Sequence, residues 1–223
     1  FGDTAVATEQ FVTAIALFEE AGDAHAAART SADLAGVEFS TGRLADAIER
    51  MERAYGVLEG EEPDEDLAFF LSQLARAHYF AGNHDLSEER NERALAVAER
   101  LRLLDVLSHA LNNAGLLAMH KGRWETARAL TSRALEISLE NDFPFAATRG
   151  YTNLSVILTR LGSIAEAGDL TLKALELARR IGNRSSEWFS LGNLVDVYDL
   201  TGRWDEAIEI GEEVPPGMET QAL

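Results

Sequence analysis

"TGRWDEA" (201–207) has close cousins in "KGRWETA" (121–127) and "TGRLADA" (41–47). A glycine followed by a helix start fits two chemistries, a phosphate-cradling loop or a turn between helices. The phosphate reading requires GxxxxGK[ST], or GxGxxG after a strand, and the sequence holds neither. The turn reading predicts recurrence. Gly2, Gly42, Gly82, Gly122, Gly162 and Gly202 stand 40 residues apart without a slip.

Other columns keep the same frame. Five residues after each glycine stand Ala7, Ala47, Ser87, Ala127, Ala167 and Ala207; twelve after it stand Ala14, Ala54, Ala94, Ala134, Ala174 and Val214. Eight before it stand Leu34, Leu74, Ala114, Leu154 and Leu194, and nine before it Asp33, Gln73, Asn113, Asn153 and Asn193. Each unit reads as two helices: "HALNNAGLLAMHK" (109–121) and "WETARALTSRALEISLE" (124–140) both carry apolar residues at helical spacing. Glycine permits the left-handed cap that ends the first helix. The alanines let two antiparallel helices approach closely. One hairpin cannot bury its own apolar face, so neighbours must stack.

This pattern resembles the tetratricopeptide repeat family, on the "LA", "LA" and "AG" pairs at 34–35, 74–75 and 114–115, the turn glycine, and two small residues in each second helix. The resemblance covers nearly the whole chain, with a period longer than the family's about 34 residues and with the unit-closing proline mostly missing. It implies an all-α fold, a right-handed α-α superhelix of about eleven antiparallel helices: one single helix and five pairs. The expected solenoid covers 1–214, in units 1–22 (half), 23–62, 63–102, 103–142, 143–182 and 183–214, with a tail at 215–223. Extended units of this kind are similar to the helical regions of bacterial signalling ATPases, cyclase-linked regulators and multidomain transcriptional activators.

"FGDTAVA" (1–7) aligns with "TGRLADA", which places Phe1 where a first helix should finish, and "PPGMETQAL" (215–223) follows the last helix in place of a polar capping helix. The expectation is a fragment of a longer protein, with a last helix kept short by Pro215 and Pro216.

Composition narrows the function. Of 223 residues, 46% are apolar and 26% charged, so the chain should fold. A formal charge of −18 argues against contact with nucleic-acid phosphate or an anionic membrane surface. There is no cysteine, which excludes disulfides, thiolate catalysis and cysteine-bound zinc. With no spanning run and no signal peptide at the start, the expected location is the cytoplasm. Lysine occurs only as Lys121 and Lys173, and together with the alanine content this points to a bacterial source.

Candidate sites are few. The acidic run "EGEEPDED" (59–66) misses the calcium-loop pattern and reads as a solvated loop, with Asp64 or Asp66 starting the next helix. His25, His78, His84, His109 and His120 form no HExxH and no pair one turn apart, so no metal is expected. No nucleophile elbow or serine–histidine–acid set is present, and Ser185 and Ser186 read as a helix start; no catalysis and no cofactor are expected. Trp124 and Trp204, just past the turn, read as plugs between successive hairpins.

The resemblance implies that first helices line a concave groove. Its columns hold Arg29, Asp33 and Phe39, then Phe69, Gln73, Arg76, Tyr79 and Phe80, then His109, Asn113, Met119 and His120. Arg149, Asn153 and Arg160 follow, and the last unit gives Phe189, Asn193, Asp196 and Asp199. The amides Gln73, Asn113, Asn153 and Asn193 recur one repeat apart. They either grip an extended peptide backbone, as in the family, or bond neighbouring helices. The middle columns collect Arg76, His109, His120, Arg149 and Arg160, which favours an anionic segment. The column ten before the glycine lacks the lysine of the family's chaperone-tail clamp.

The expected function is a non-catalytic interaction scaffold in a signalling or transcriptional regulator. Its partner is a protein or peptide, with another domain of the parent chain one such partner. Two alternatives stand beside it: small-molecule sensing on the Phe69, Tyr79, Phe80 and Met119 surface, and a homodimer joined through the array ends.

Overall fold

The structure, a computed structural model, describes residues 4–40, 43–60 and 62–214. Gly2, Gly42, Glu61, the Phe39 side chain and the tail 215–223 lie outside the described residues. Eleven helices and no strand occur among those described: α1 (Thr4–Ala21), α2 (Ala24–Ser40), α3 (Leu44–Leu58), α4 (Glu65–Phe80), α5 (His84–Leu101), α6 (Leu104–His120), α7 (Trp124–Glu140), α8 (Pro144–Arg160), α9 (Ile164–Ile181), α10 (Arg184–Leu200) and α11 (Trp204–Glu213). As the frame predicts, α1 stands alone and five pairs follow. The even-numbered helices are the first members of the pairs.

The turns explain the regularity. Gly82, Gly122, Gly162 and Gly202 all sit in the left-handed region, with φ between 70° and 83°. At each of them the next residue's N–H reaches back five positions, as in Asn83 N to His78 O at 2.9 Å and Arg203 N to Tyr198 O at 2.8 Å. That bond satisfies a carbonyl the helix end leaves open. A second set of turns, between units, falls midway: Gly22, Arg102, Asp142 and Gly182 are left-handed too, with φ from 56° to 75°. The same backward bond recurs there, as in Leu103 N to Ala98 O at 2.9 Å.

Helix starts are capped locally. Asp64 accepts from Leu67 N at the start of α4, as the acidic run predicts. Asn183, rather than Ser185 or Ser186, caps α10, its side chain accepting from Ser186 N. The last helix is ten residues long, and Val214 beyond it is extended (ψ 123°), the conformation favoured before a proline.

The helices form two compact units, 1–113 and 114–223, with the boundary inside α6. In the first, Ala28, Ala32 and Ala35 of α2 meet Met51, Tyr55 and Leu58 of α3 and Phe70, Leu71 and Leu74 of α4. In the second, Ile157 packs on Ala118 and Ala127, while Leu175 packs on Leu191 and Leu194. Each fully buried leucine contributes about 1.5–3 kcal/mol. The small columns do what the frame requires: Ala47, Ser87, Ala127 and Ala167 are fully buried. A side chain at Gly115 would collide with the Thr131 hydroxyl of the paired helix.

One expectation fails. Trp124 is half-buried at its seam, but Trp204 is 66% exposed, because no helix among those described packs on that side of α11.

Candidate functional site: the first-helix face

In the first unit the predicted columns form one stripe along α4. Phe69, Gln73, Arg76 and Phe80 stand a turn apart and partly exposed, while Leu67, Phe70, Leu71 and Leu74 on the opposite side are fully buried. The stripe continues onto α2 through Arg29, and onto α6 through His109. Arg29 lies over the Phe69 ring, 4.9 Å from its centroid, and Phe69 meets His109 edge-on at 6.2 Å. Further along, Arg76 lies 5.3 Å from the Phe80 centroid, and Tyr79 packs edge-on against Phe80 at 5.4 Å. Phe80 remains 42% exposed.

The charges here are tuned by enclosure. Burial pushes the Arg76 guanidinium down to about 10, so it remains a cation at neutral pH. A hydrogen bond from Arg29 to Asp66, at 2.6 Å, raises the Arg29 pKa. Burial raises the Asp33 carboxyl, with Arg29 pulling it back, and burial also raises Tyr79.

In the second unit, Arg149, Asn153, Phe189 and Asn193 are half-buried, whereas His120, Arg160, Asp196 and Asp199 are exposed. Partial desolvation by its neighbours, despite the exposed position, and the charge of Asp199 raise the Asp196 carboxyl above the ordinary value, with Arg160 pulling it back. The middle columns of the sequence reading are Arg76, His109, His120, Arg149 and Arg160. Asp66 pairs with Arg29 at 2.6 Å, outside that set, and of the set Arg160 lies within electrostatic reach of Asp196.

The amide ladder divides. Asn113 is 1% exposed, and its Nδ2 donates to the main-chain oxygen of Ser72 at 2.8 Å, so this rung ties α6 to α4. Gln73 and Asn153 remain half-buried. Asn193 has a buried Nδ2 without an acceptor. The carbonyl one repeat before it, at Thr152, already receives the Ser155 hydroxyl at 2.8 Å. In the first unit the residue matching Ser155 is Ala75, which leaves the Ser72 oxygen open to Asn113.

Other polar groups escaped the sequence reading because their partners sit on different helices. Glu38 is 1% exposed and receives Arg50 at 3.1 Å. Buried His78 meets Glu52 at 2.7 Å, and Asn83 lies 3.4 Å from its other ring nitrogen. Asn91, buried in α5, donates to Ala110 O at 3.0 Å. The "EGEEPDED" run is more engaged than a solvated loop: Asp64 pairs with His25 at 3.0 Å and Asp66 with Arg29. Ligand atoms of His25, Asp64 and Asp66 lie within 4.8 Å of one another. With Arg29 on Asp66 and the Leu67 N–H on Asp64, the group is an ion-pair cluster that closes α2 onto α4.

Two cavities, of about 210 and 270 Å³, lie in the second unit. The first is lined by α7, α8 and α9, and the second mainly by α9 and α10; neither includes Met119. No helix among the described residues is long and apolar enough to cross a membrane.

A family model described as tetratricopeptide repeat matches residues 27–100 and 145–214. No curated protein matches the sequence. Among solved structures, the chain is similar to a Rap protein complexed with competence and sporulation factor, with TM-score 0.75, 18% identity, and 89% of this chain and 54% of that one covered. It is similar to NprR in complex with its cognate peptide NprX, with TM-score 0.73, 13% identity, and coverage of 99% and 63%. A third is the signal transduction ATPase with numerous domains and a tetratricopeptide repeat sensor from Pyrococcus horikoshii, with TM-score 0.63, 17% identity, and coverage of 91% and 32%. At these identities the likeness is one of fold, and the chain spans only part of each. Paired antiparallel helices, left-handed turns in one register and a family model over well more than half the length lead to one conclusion: the chain belongs to the tetratricopeptide repeat family.

Proposed function

We propose that the protein is a non-catalytic scaffold whose first-helix face binds a peptide or an extended segment of a partner domain. The observation that carries this reading is the half-exposed cluster of Phe69, Phe80, Tyr79, Arg29 and Arg76 on α2 and α4. Aromatic side chains and arginines dominate the energetics of protein interfaces, and leaving them on a surface is costly without a partner. The NprR structure holds its cognate peptide NprX, and a Rap conjugation gene regulator the Phr* peptide, on the same fold, which supports a peptide as the occupant. In this reading the parent is a cytoplasmic bacterial regulator of signalling or transcription.

The test is an array of labelled short peptides with free carboxylate ends, screened by fluorescence anisotropy. Peptides that bind should lose about tenfold or more in affinity with Phe69→Ala and with Arg76→Ala. Equal affinity for the wild-type chain and both variants would place the binding elsewhere and overturn the reading.

A further inference from the structure

The cavity of about 210 Å³ in the second unit opens where α7 and α9 both rest on α8. Its floor is Leu154 and Leu158, one turn apart on α8 and only 7% and 2% exposed. From α7 it is lined by Ala129 and Ser132, side chains too small to fill the space over two leucines. One repeat on, Leu194 and Tyr198 stand in the columns of Leu154 and Leu158 and line the larger cavity. The opening is therefore a property of the repeat, and the residues around it set its chemistry.

Three charged side chains line the smaller cleft. On α7, Arg128 is held by Glu125 at 2.7 Å, so these two charges answer each other. On α9, Glu166 joins no ion pair among the described residues. The half-buried Ser132 adds a hydroxyl. An apolar floor beside one unanswered carboxylate and one hydroxyl selects a ligand with a short apolar stem and a cationic, hydrogen-donating head. Size sharpens the choice. A cavity of about 150 Å³ holds benzene, so this one takes a chain of about five or six heavy atoms.

We propose that this cleft binds a short-chain primary alkylamine, whose stem lies on Leu154 and Leu158 and whose ammonium donates to Glu166 and to the Ser132 oxygen. An alcohol of the same length keeps the stem contacts and forgoes the charge-assisted bond to Glu166. A carboxylate of that length meets Glu166 as a like charge. The amine is independent of the peptide proposed for the first-helix face, with which the cleft shares no residue.

The test uses the intact chain and ligand-observed saturation-transfer NMR with three probes of similar length: pentylamine, pentanol and pentanoate. At neutral pH pentylamine should bind with a Kd on the order of 1 mM, and more weakly as salt rises. Pentanol should bind about tenfold more weakly, and pentanoate should give no signal. Glu166→Gln should bring pentylamine down to the level of pentanol. Ala129→Leu, which fills the cleft from an exposed position, should abolish binding of both, while Phe69→Ala should leave it unchanged. Thermal melts followed by circular dichroism check that the exposed substitutions at 129 and 166 leave the fold intact. No binding of pentylamine, equal binding of pentylamine and pentanol, or binding that survives Ala129→Leu overturns the proposal. So does pentylamine affinity that Glu166→Gln leaves unchanged, since the carboxylate would then have no part in recognition.

Discussion

The side-chain amide of Asn113 donates to the main-chain oxygen of Ser72 at 2.8 Å, across 41 residues of sequence. This bond is buried, so its loss leaves the freed space without water to replace it. Asn113→Ala should lower the unfolding free energy by about 1–2 kcal/mol. Urea denaturation of this variant beside Gln73→Ala, which is half-buried and should change stability by less than about 0.5 kcal/mol, tests the division of the ladder. If both variants unfold with the wild type, the Asn113 bond contributes nothing.

Gly115 in α6 faces Thr131 in α7 closely enough that a methyl group and the threonine hydroxyl compete for one position. Gly115→Ala should destabilise by about 1–3 kcal/mol, as overpacking does. Adding Thr131→Ala should recover most of that loss. A double variant no more stable than Gly115→Ala alone would show that the strain resides elsewhere.

Arg102 and Gly122 hold equivalent left-handed turns, with φ of 57° and 70°. A side chain with a Cβ costs about 1 kcal/mol in this region. Arg102→Gly should therefore raise stability by about 0.5–1 kcal/mol, and Gly122→Ala should lower it by about 1 kcal/mol. Opposite shifts in Tm are the expected readout; shifts of the same sign would contradict the turn argument.

Glu187, 7% exposed, lies between Arg179 at 3.0 Å and Arg184 at 2.6 Å. Burial alone would raise its carboxyl, but hydrogen bonds from Arg179 and Arg184 prevail and hold it below the ordinary 4.5. Glu52 is lowered in the same way, burial being outweighed by His78 and Arg90. A folded-state value below the unfolded one adds stability above the ordinary carboxylate range, and that stability is lost as pH falls through the folded value. Glu187→Gln should thus be less stable than wild type at neutral pH, with the gap closing once pH drops below the ordinary value. A gap independent of pH would assign the loss to packing.

The turns were legible because glycine is the residue that tolerates their geometry, and the small columns because helices cannot cross closely over bulk. The intermediate turns were half-hidden. Gly22 and Gly182 share a column with Arg102 and Asp142, which adopt the same geometry without the same residue. The buried ion pairs were illegible: Glu38–Arg50, Glu52–His78 and Arg179–Glu187 are separated by 12, 26 and 8 residues and follow no shared spacing. Asn113 and Asn193 occupy one column with opposite fates, and the difference lies in Ala75 against Ser155 on a neighbouring helix. Trp204 has the same sequence context as Trp124, yet among the described residues Trp124 is half-buried and Trp204 exposed.

From Gly82 to Gly202 a left-handed residue falls at every twentieth position, glycine or not. That cadence makes length itself a selected quantity. A single inserted residue within a helix turns everything after it by about 100° and carries its core face out of line with its neighbours, so point insertions should be purged. Gain or loss of forty residues between matching turns changes no register at all, and evolution can lengthen or shorten such a chain by whole hairpins while each remaining side chain keeps its role.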